Sequence, residues 1–95
     1  MATSHDDRGS LAPSELAAAA MSTVGQLTSY EPEAATGLEW DGDTWRVTVD
    51  VLEMPRIPAT TDVLAQYEVR LDGDGKLHGY RRVRRYTRSQ TRDDE

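Results

Sequence analysis

The sequence predicts an α+β fold in which an N-terminal helix packs on a four-stranded antiparallel β-meander. Three observations carry this. Residues 11–29 are alanine-rich with apolar side chains at helical spacing, residues 44–54 and 62–72 alternate apolar and polar, and two Asp-Gly clusters punctuate the second half of the chain. A chain of 95 residues holds one small core. The expected organisation is a disordered tail at 1–9, a single α+β domain at 10–88 and a disordered acidic tail at 89–95.

The helix reading begins with Ser10 or Ala12 at the cap, Pro13 in the first turn and Glu15 facing the positive end of the helix dipole. Leu16, Ala20, Val24 and Leu27 draw one apolar stripe, and residues 17–20 are four alanines, the strongest helix formers. So narrow a stripe fits a helix laid closely on a sheet, with a groove for a partner helix as the alternative. Tyr30-Glu31-Pro32 ends it, because a residue preceding proline is driven out of the helical region.

Residues 37–40 read as a short first strand, and Asp41-Gly42-Asp43 as its hairpin turn. In the second strand Trp45, Val47, Val49 and Val51 share one face, and Arg46, Thr48 and Asp50 the other. Pro55 and Pro58 interrupt the pattern and predict a constrained crossover loop. The third strand places Val63, Ala65, Tyr67, Val69 and Leu71 in phase, opposite Gln66, Glu68 and Arg70. Asp72-Gly73-Asp74-Gly75 is a tight turn, too poor in later carboxylates for a calcium loop.

The last strand, residues 76–88, has no clean phase. A bulge near Gly79 or Tyr80 would bring Leu77, Tyr80 and Tyr86 to the core; a helical turn carrying Tyr80, Val83 and Tyr86 is the alternative. This segment also holds Arg81, Arg82, Arg84, Arg85 and Arg88. Packed guanidiniums repel one another, so they require carboxylates, an anionic partner or water.

Charge is polarised along the chain. Residues 1–53 carry ten acids and two bases, 54–88 four acids and eight bases, and 89–95 three acids and one base, for a net charge of −6. Such polarity suits docking to an acidic surface or pairing between the two halves. For the pairing, Glu53, Glu68 and the N-terminal acids are the expected partners of the terminal arginines, with Asp50, Glu53 and Glu68 also open to Arg46 and Arg70.

The chemistry of an enzyme is missing from the pattern. Cysteine is absent, His5 and His78 stand alone, and no glycine spacing matches a phosphate loop. No catalytic, cofactor-binding or metal-ligating residues are predicted, and no cofactor. No apolar run is long enough to span a membrane, and the acids in MATSHDDRGS replace the basic start of a secretory signal. The expectation is a soluble cytoplasmic protein with no membrane partner. Arginine alternating with tyrosine also suits single-stranded nucleic acid, but the acidic balance opposes approach to a polyanion, so nucleic acid is the lesser alternative. Protein contact is favoured, with Tyr80, Arg81, Arg82, Arg84, Arg85 and Tyr86 as the partner-binding set. The uncovered edges and face of the sheet also allow a homodimer.

Residues 56–88, RIPATTDVLAQYEVRLDGDGKLHGYRRVRRYTR, preceded by WRVTVDVLE at 45–53, resemble the gas vesicle synthesis protein GvpO family of actinobacteria and haloarchaea. The order of the tryptophan-initiated strand, Arg56-Ile57-Pro58, the Asp62-to-Val69 stretch and Tyr80-to-Tyr86 carries the resemblance more than any single piece. Met54-Pro55 and Ala59 depart from the family pattern, which touches the loop rather than the strands. The resemblance implies a non-enzymatic accessory role in gas vesicle assembly, with the hydrophobic shell subunit and the ATPase of the same gene cluster as candidate partners. It carries over no catalytic residue.

Overall fold

The computed structural model describes residues 9–89; nearly all of both expected tails lies outside that range. One helix, α1 (Pro13–Thr28), precedes four strands, β1 (Glu31–Trp40), β2 (Trp45–Met54), β3 (Val63–Leu71) and β4 (Leu77–Thr87). They form one antiparallel sheet in the order β1-β2-β3-β4. The α+β meander is therefore the observed fold.

Local chemistry sets the ends of α1. Ala12 is the N-cap and has no side-chain acceptor, so the cap is completed from inside the helix: the Ala12 N–H donates to Glu15 Oε1 at 2.7 Å. At the other end Ser29 takes the left-handed conformation, φ 66°, and its N–H donates to Gly25 O. The chain before the helix is tied to the turn between β3 and β4, where the Leu11 N–H donates to Gly73 O and Ser10 Oγ to Asp74 Oδ1. Gly75 in that turn has φ 88°, and a Cβ there would come within 2.8 Å of Leu11, so both backbone conformation and packing demand glycine.

Leu16, Ala20 and Val24 face the sheet fully buried, against Val47, Val49 and Val51 of β2 and Ala65, Tyr67, Val69 and Leu71 of β3. The predicted stripe is corrected at its end. Leu27 is 47% exposed, although its spacing matches the stripe. It lies in the final turn, where the chain already swings through Ser29 into β1. The helix rests mainly on β1 and β2, then on β3.

β1 is much longer than the predicted 37–40. It begins at Glu31 and pairs with β2 along its length, with register shifts between Pro32 and Ala34 and between Ala35 and Gly37. The extra residues Glu33 and Thr36 break the two-residue period, which hides the strand from a pattern search. Pro32 is tolerated because β1 is an edge strand. Trp40 and Trp45 close the hairpin as a directly opposed pair, ring centroids 5.4 Å apart.

Both Asp-Gly turns are organised by an aspartate. Asp41 Oδ1 accepts from the N–H groups of Asp43 and Thr44, and Asp72 Oδ1 from those of Asp74 and Lys76. The bond from Thr44 is the largest cause holding Asp41 below the usual aspartate range, and the bond from Lys76 does the same for Asp72. Between β2 and β3, a 3₁₀ turn (Ala59–Thr61) leads into Asp62, which the sequence pattern assigned to the strand. Asp62 is buried and its Oδ1 accepts from the Arg56 N–H at 2.8 Å.

Two outcomes test this arrangement. Leu16→Ala should cost about 2–5 kcal/mol, whereas Leu27→Ala should cost under about 1 kcal/mol; thermal denaturation of the two variants checks the helix orientation. A carboxyl whose pKa is depressed by folding stabilises above its unfolded value and loses that contribution as pH falls through the folded value. Stability should therefore fall on acidification below about pH 4, and Asp72→Asn, which keeps the acceptor but not the charge, should flatten that limb in denaturant titrations across pH.

Candidate functional site

β4 is the second edge of the sheet, and its phase decides where each arginine points. Directly opposed residues on neighbouring strands project to the same face. Leu77 opposes Leu71, Tyr80 opposes Val69, Arg82 opposes Tyr67 and Arg85 opposes Ala65, so these four lie on the face that α1 shares. Gly79, Arg81, Arg84 and Tyr86 oppose Arg70, Glu68, Gln66 and Leu64 on the other face. Two register shifts make this possible, leaving His78 and Val83 as the extra residues. The predicted bulge at Gly79 or Tyr80 is thus corrected to two bulges flanking it, and the helical-turn alternative is replaced by a continuous strand.

The expected core residues of β4 are corrected as well. Tyr86 is buried, but Leu77 and Tyr80 remain 40% and 42% exposed. Tyr80 lies against the Tyr67 ring, centroids 6.1 Å apart, without being covered from above. The cause is that α1 lies toward the opposite edge of the sheet.

On the helix-bearing face a single carboxylate organises two arginines. Glu53, the extra residue at the β2 bulge, is only 5% exposed at its side chain, and Arg82 Nη1 donates to its Oε2 at 3.1 Å. Arg85 Nε stands 2.6 Å from Oε1, close enough for strong attraction but bent away from hydrogen-bond geometry, so this contact is an ion pair. Both guanidiniums reach over β3, where the opposed residue Ala65 is small. The same carboxylate acts on Tyr67: burial first, then the negative charge of Glu53, raise the tyrosine pKa.

The opposite face is a lattice of alternating charge. Arg81 Nε donates to Glu68 Oε1 at 3.2 Å, Arg46 lies between Glu68 and Glu39, and Gln66 Nε2 donates to Asp50. A shallow cleft of about 370 Å³ opens among Asp41, Arg46, Glu68, Arg70 and Arg81 and is bounded at the sheet edge by Tyr80, whose ring lies against Tyr67 on the helix-bearing face. Its charges are already interleaved, which leaves it no pronounced field of one sign. Arg84 stacks over Tyr86, 4.5 Å from the ring centroid.

Arg88, outside the predicted partner-binding set, has a bridging role. Its guanidinium contacts Glu33 of β1 at 2.9 Å and buried Asp62 at 3.1 Å, and its backbone N–H donates to Asp62 O. The bonds to Glu33 and then Asp62 raise its pKa. Asp62 so joins the crossover loop, the end of β4 and, through Arg88, the first strand. Sequence reading placed Asp62 in a motif but assigned neither it nor Glu33 to Arg88, because these contacts join residues 26 and 55 positions apart in different elements.

The structure therefore brings the six predicted docking residues onto one strand but divides them between faces. The pairing of the arginines with Glu53 and Glu68 is observed; of the acids earlier in the chain Glu33 pairs with Arg88, and those in residues 1–8 lie outside the described residues. Among those residues no group of three or more His, Asp or Glu side chains is placed to hold a metal ion. No helix among them is long and apolar enough to cross a membrane.

Comparison with known proteins gives this strand its context. The family model described as gas vesicle synthesis protein GvpO matches residues 2–92. Gas vesicle protein O of Streptomyces sp. (strain CB03234) is 43% identical over 79 residues, covering 83% of this chain and 62% of that protein. Gas vesicle protein O of Haloferax mediterranei is 34% identical over 70 residues, 73% of this chain and 50% of its own length. Gas vesicle protein O1 of Halobacterium salinarum is 32% identical over 68 residues, 72% of this chain and 57% of its own. The match thus spans half to about three-fifths of these curated relatives, and no solved structure matches the chain. With a charged strand-and-helix architecture and a family match running through nearly all of its length, the chain belongs to the gas vesicle synthesis protein GvpO family.

Proposed function

We propose that this chain serves gas vesicle formation as a non-enzymatic docking module whose contacts are made by β4, through Tyr80, Arg81, Arg82, Arg84, Arg85 and Tyr86. The observation that carries the reading is the state of the arginines. Arg81, Arg82 and Arg85 are held in place by carboxylates of neighbouring strands while about half or more of each side chain stays in solvent. A guanidinium fixed on one side and open on the other meets a partner carboxylate with little further loss of side-chain freedom. Tyr80 supplies a half-exposed aromatic anchor beside them.

Family membership supports a partner among other gas vesicle proteins, and we take the hydrophobic shell subunit and the cluster ATPase as the candidates and the cytoplasm, at or near the vesicle, as the site of action. Nucleic acid is the weaker reading, because internal carboxylates already neutralise most of the arginine charge that phosphates would need.

The test is a triple substitution, Tyr80→Ala with Arg81→Ala and Arg84→Ala, which spares the arginines that cover Glu53. The protein should keep its fold, since Glu68 retains Arg46 as a partner. In cells whose own copy is deleted, the variant should lower vesicle yield about tenfold or more, as expected when interface anchors are truncated. Normal vesicle yield from the folded triple variant, and from a folded variant that also carries Arg82→Ala, Arg85→Ala and Glu53→Gln, would sink the docking role.

A further inference from the structure

The sheet and its helix differ in width. Four strands about 4.8 Å apart place the outer axes roughly 14 Å from one another, and splayed side chains widen the face further, whereas one helix covers about 10 Å. Because α1 sits over β1, β2 and part of β3, the inner face of β4 is left as a strip beside it. That strip contains Leu77 and Tyr80, apolar and well exposed, followed by Arg82 and Arg85.

We infer that this strip is the seat of an acidic amphipathic helix from another protein, which lies beside α1 with its apolar side on Leu77 and Tyr80 and its carboxylates on Arg82 and Arg85. The inference rests on the docking role proposed for β4 and specifies its face and its partner. At about 3.3 Å per residue, Leu77 to Arg85 runs for roughly 25 Å, the length of four to five helical turns. An added helix would complete the second layer of the fold and bury the exposed apolar residues of β4 against their own core neighbours.

Charge defines the chemistry of the occupant. Glu53 is shared by two guanidiniums, so the strip carries one positive charge in excess. About half of each of these side chains stays in solvent, which leaves N–H groups free to meet carboxylates of a neighbouring helix. Spacing a helix's acids at three or four residues matches such a one-sided contact. The other face of β4 offers less: Arg81 and Arg84 stand among Glu68, Gln66 and Tyr86, with none of the exposed large apolar residues assigned by pairing to that face.

A second copy of this chain is a poor occupant. The apolar stripe of its helix is already buried, and the outward line Ser14, Ala18, Ser22 and Gln26 presents small and polar groups with no carboxylate. A hetero-partner with its own unburied helical stripe fits the strip instead.

The experiment places a photo-crosslinking amino acid at Leu77 or at Arg81 in the full chain, in vesicle-forming cells, and maps the captured peptides by mass spectrometry. Position 77 should capture a vesicle-protein segment with apolar residues and acids at helical spacing, while position 81 gives roughly a tenth of that yield or less. The mapped segment, made as a peptide, should bind the purified chain and lose about tenfold in affinity when its acids become glutamine. Equal or stronger capture from position 81, capture of a second copy, or a segment lacking the acidic amphipathic pattern would overturn the inference while leaving docking by β4 intact. No capture from either position, with vesicles forming normally, would remove the docking role itself.

Discussion

The structure is governed by a mismatch in width, since a helix about 10 Å across must serve a four-stranded sheet and rests mainly on β1 and β2, then on β3. Buried valines from β2 and the alternate residues of β3 bring the core to the middle of the sheet, and α1 follows them. β4 is then left largely beside the helix, held by backbone pairing with β3 and by the ion pairs of its arginines. Exposed Leu77 and Tyr80 and the arginines of β4 are consequences of that placement rather than independent surface decoration.

An uncovered strand beside a core would invite unspecific association. β4 answers with charge and irregularity. Its two bulges interrupt the edge ladder, and its guanidiniums are pinned by carboxylates from other strands. Glu53 has the central position, because a nearly buried carboxylate is stable only when its charge is compensated. Arg82 and Arg85 compensate it and are themselves oriented by it. Just past the C-terminal end of β4, next to that cluster, the Glu33-Arg88-Asp62 bridge draws the crossover loop and β1 together. The acidic and basic halves of the chain thus meet within one domain, with some arginine surface to spare for a partner.

Much of the fold was legible. The alternation of β2 and β3 needed no correction in its buried face, because both strands lie in the middle of the sheet with one side on the core. The Asp-Gly turns followed from backbone requirements within a few residues. β1 was truncated in the sequence reading because its bulges destroy period two, and an edge position excuses Pro32. Leu27 matched the helical period yet lies where α1 leaves the sheet. The arginine strand was recognised as a charged, aromatic segment, and Glu53 and Glu68 as its partners; Asp62 and Glu33 were not, since the contacts that employ them span dozens of residues.

The sequence by itself determined the elements whose causes are local: an alanine-rich helix, two alternating strands, two aspartate-organised turns and a concentration of arginine too dense to stand without counter-charge. It also carried the family motifs in their order. Only the tertiary structure decided which arginines share a face, that one carboxylate serves two of them, and that Tyr80 stays half exposed while Tyr86 is buried. The physical reason is that one extra residue at a bulge reverses the direction of every side chain beyond it, and the pairing of β3 with β4 fixes where those extra residues fall.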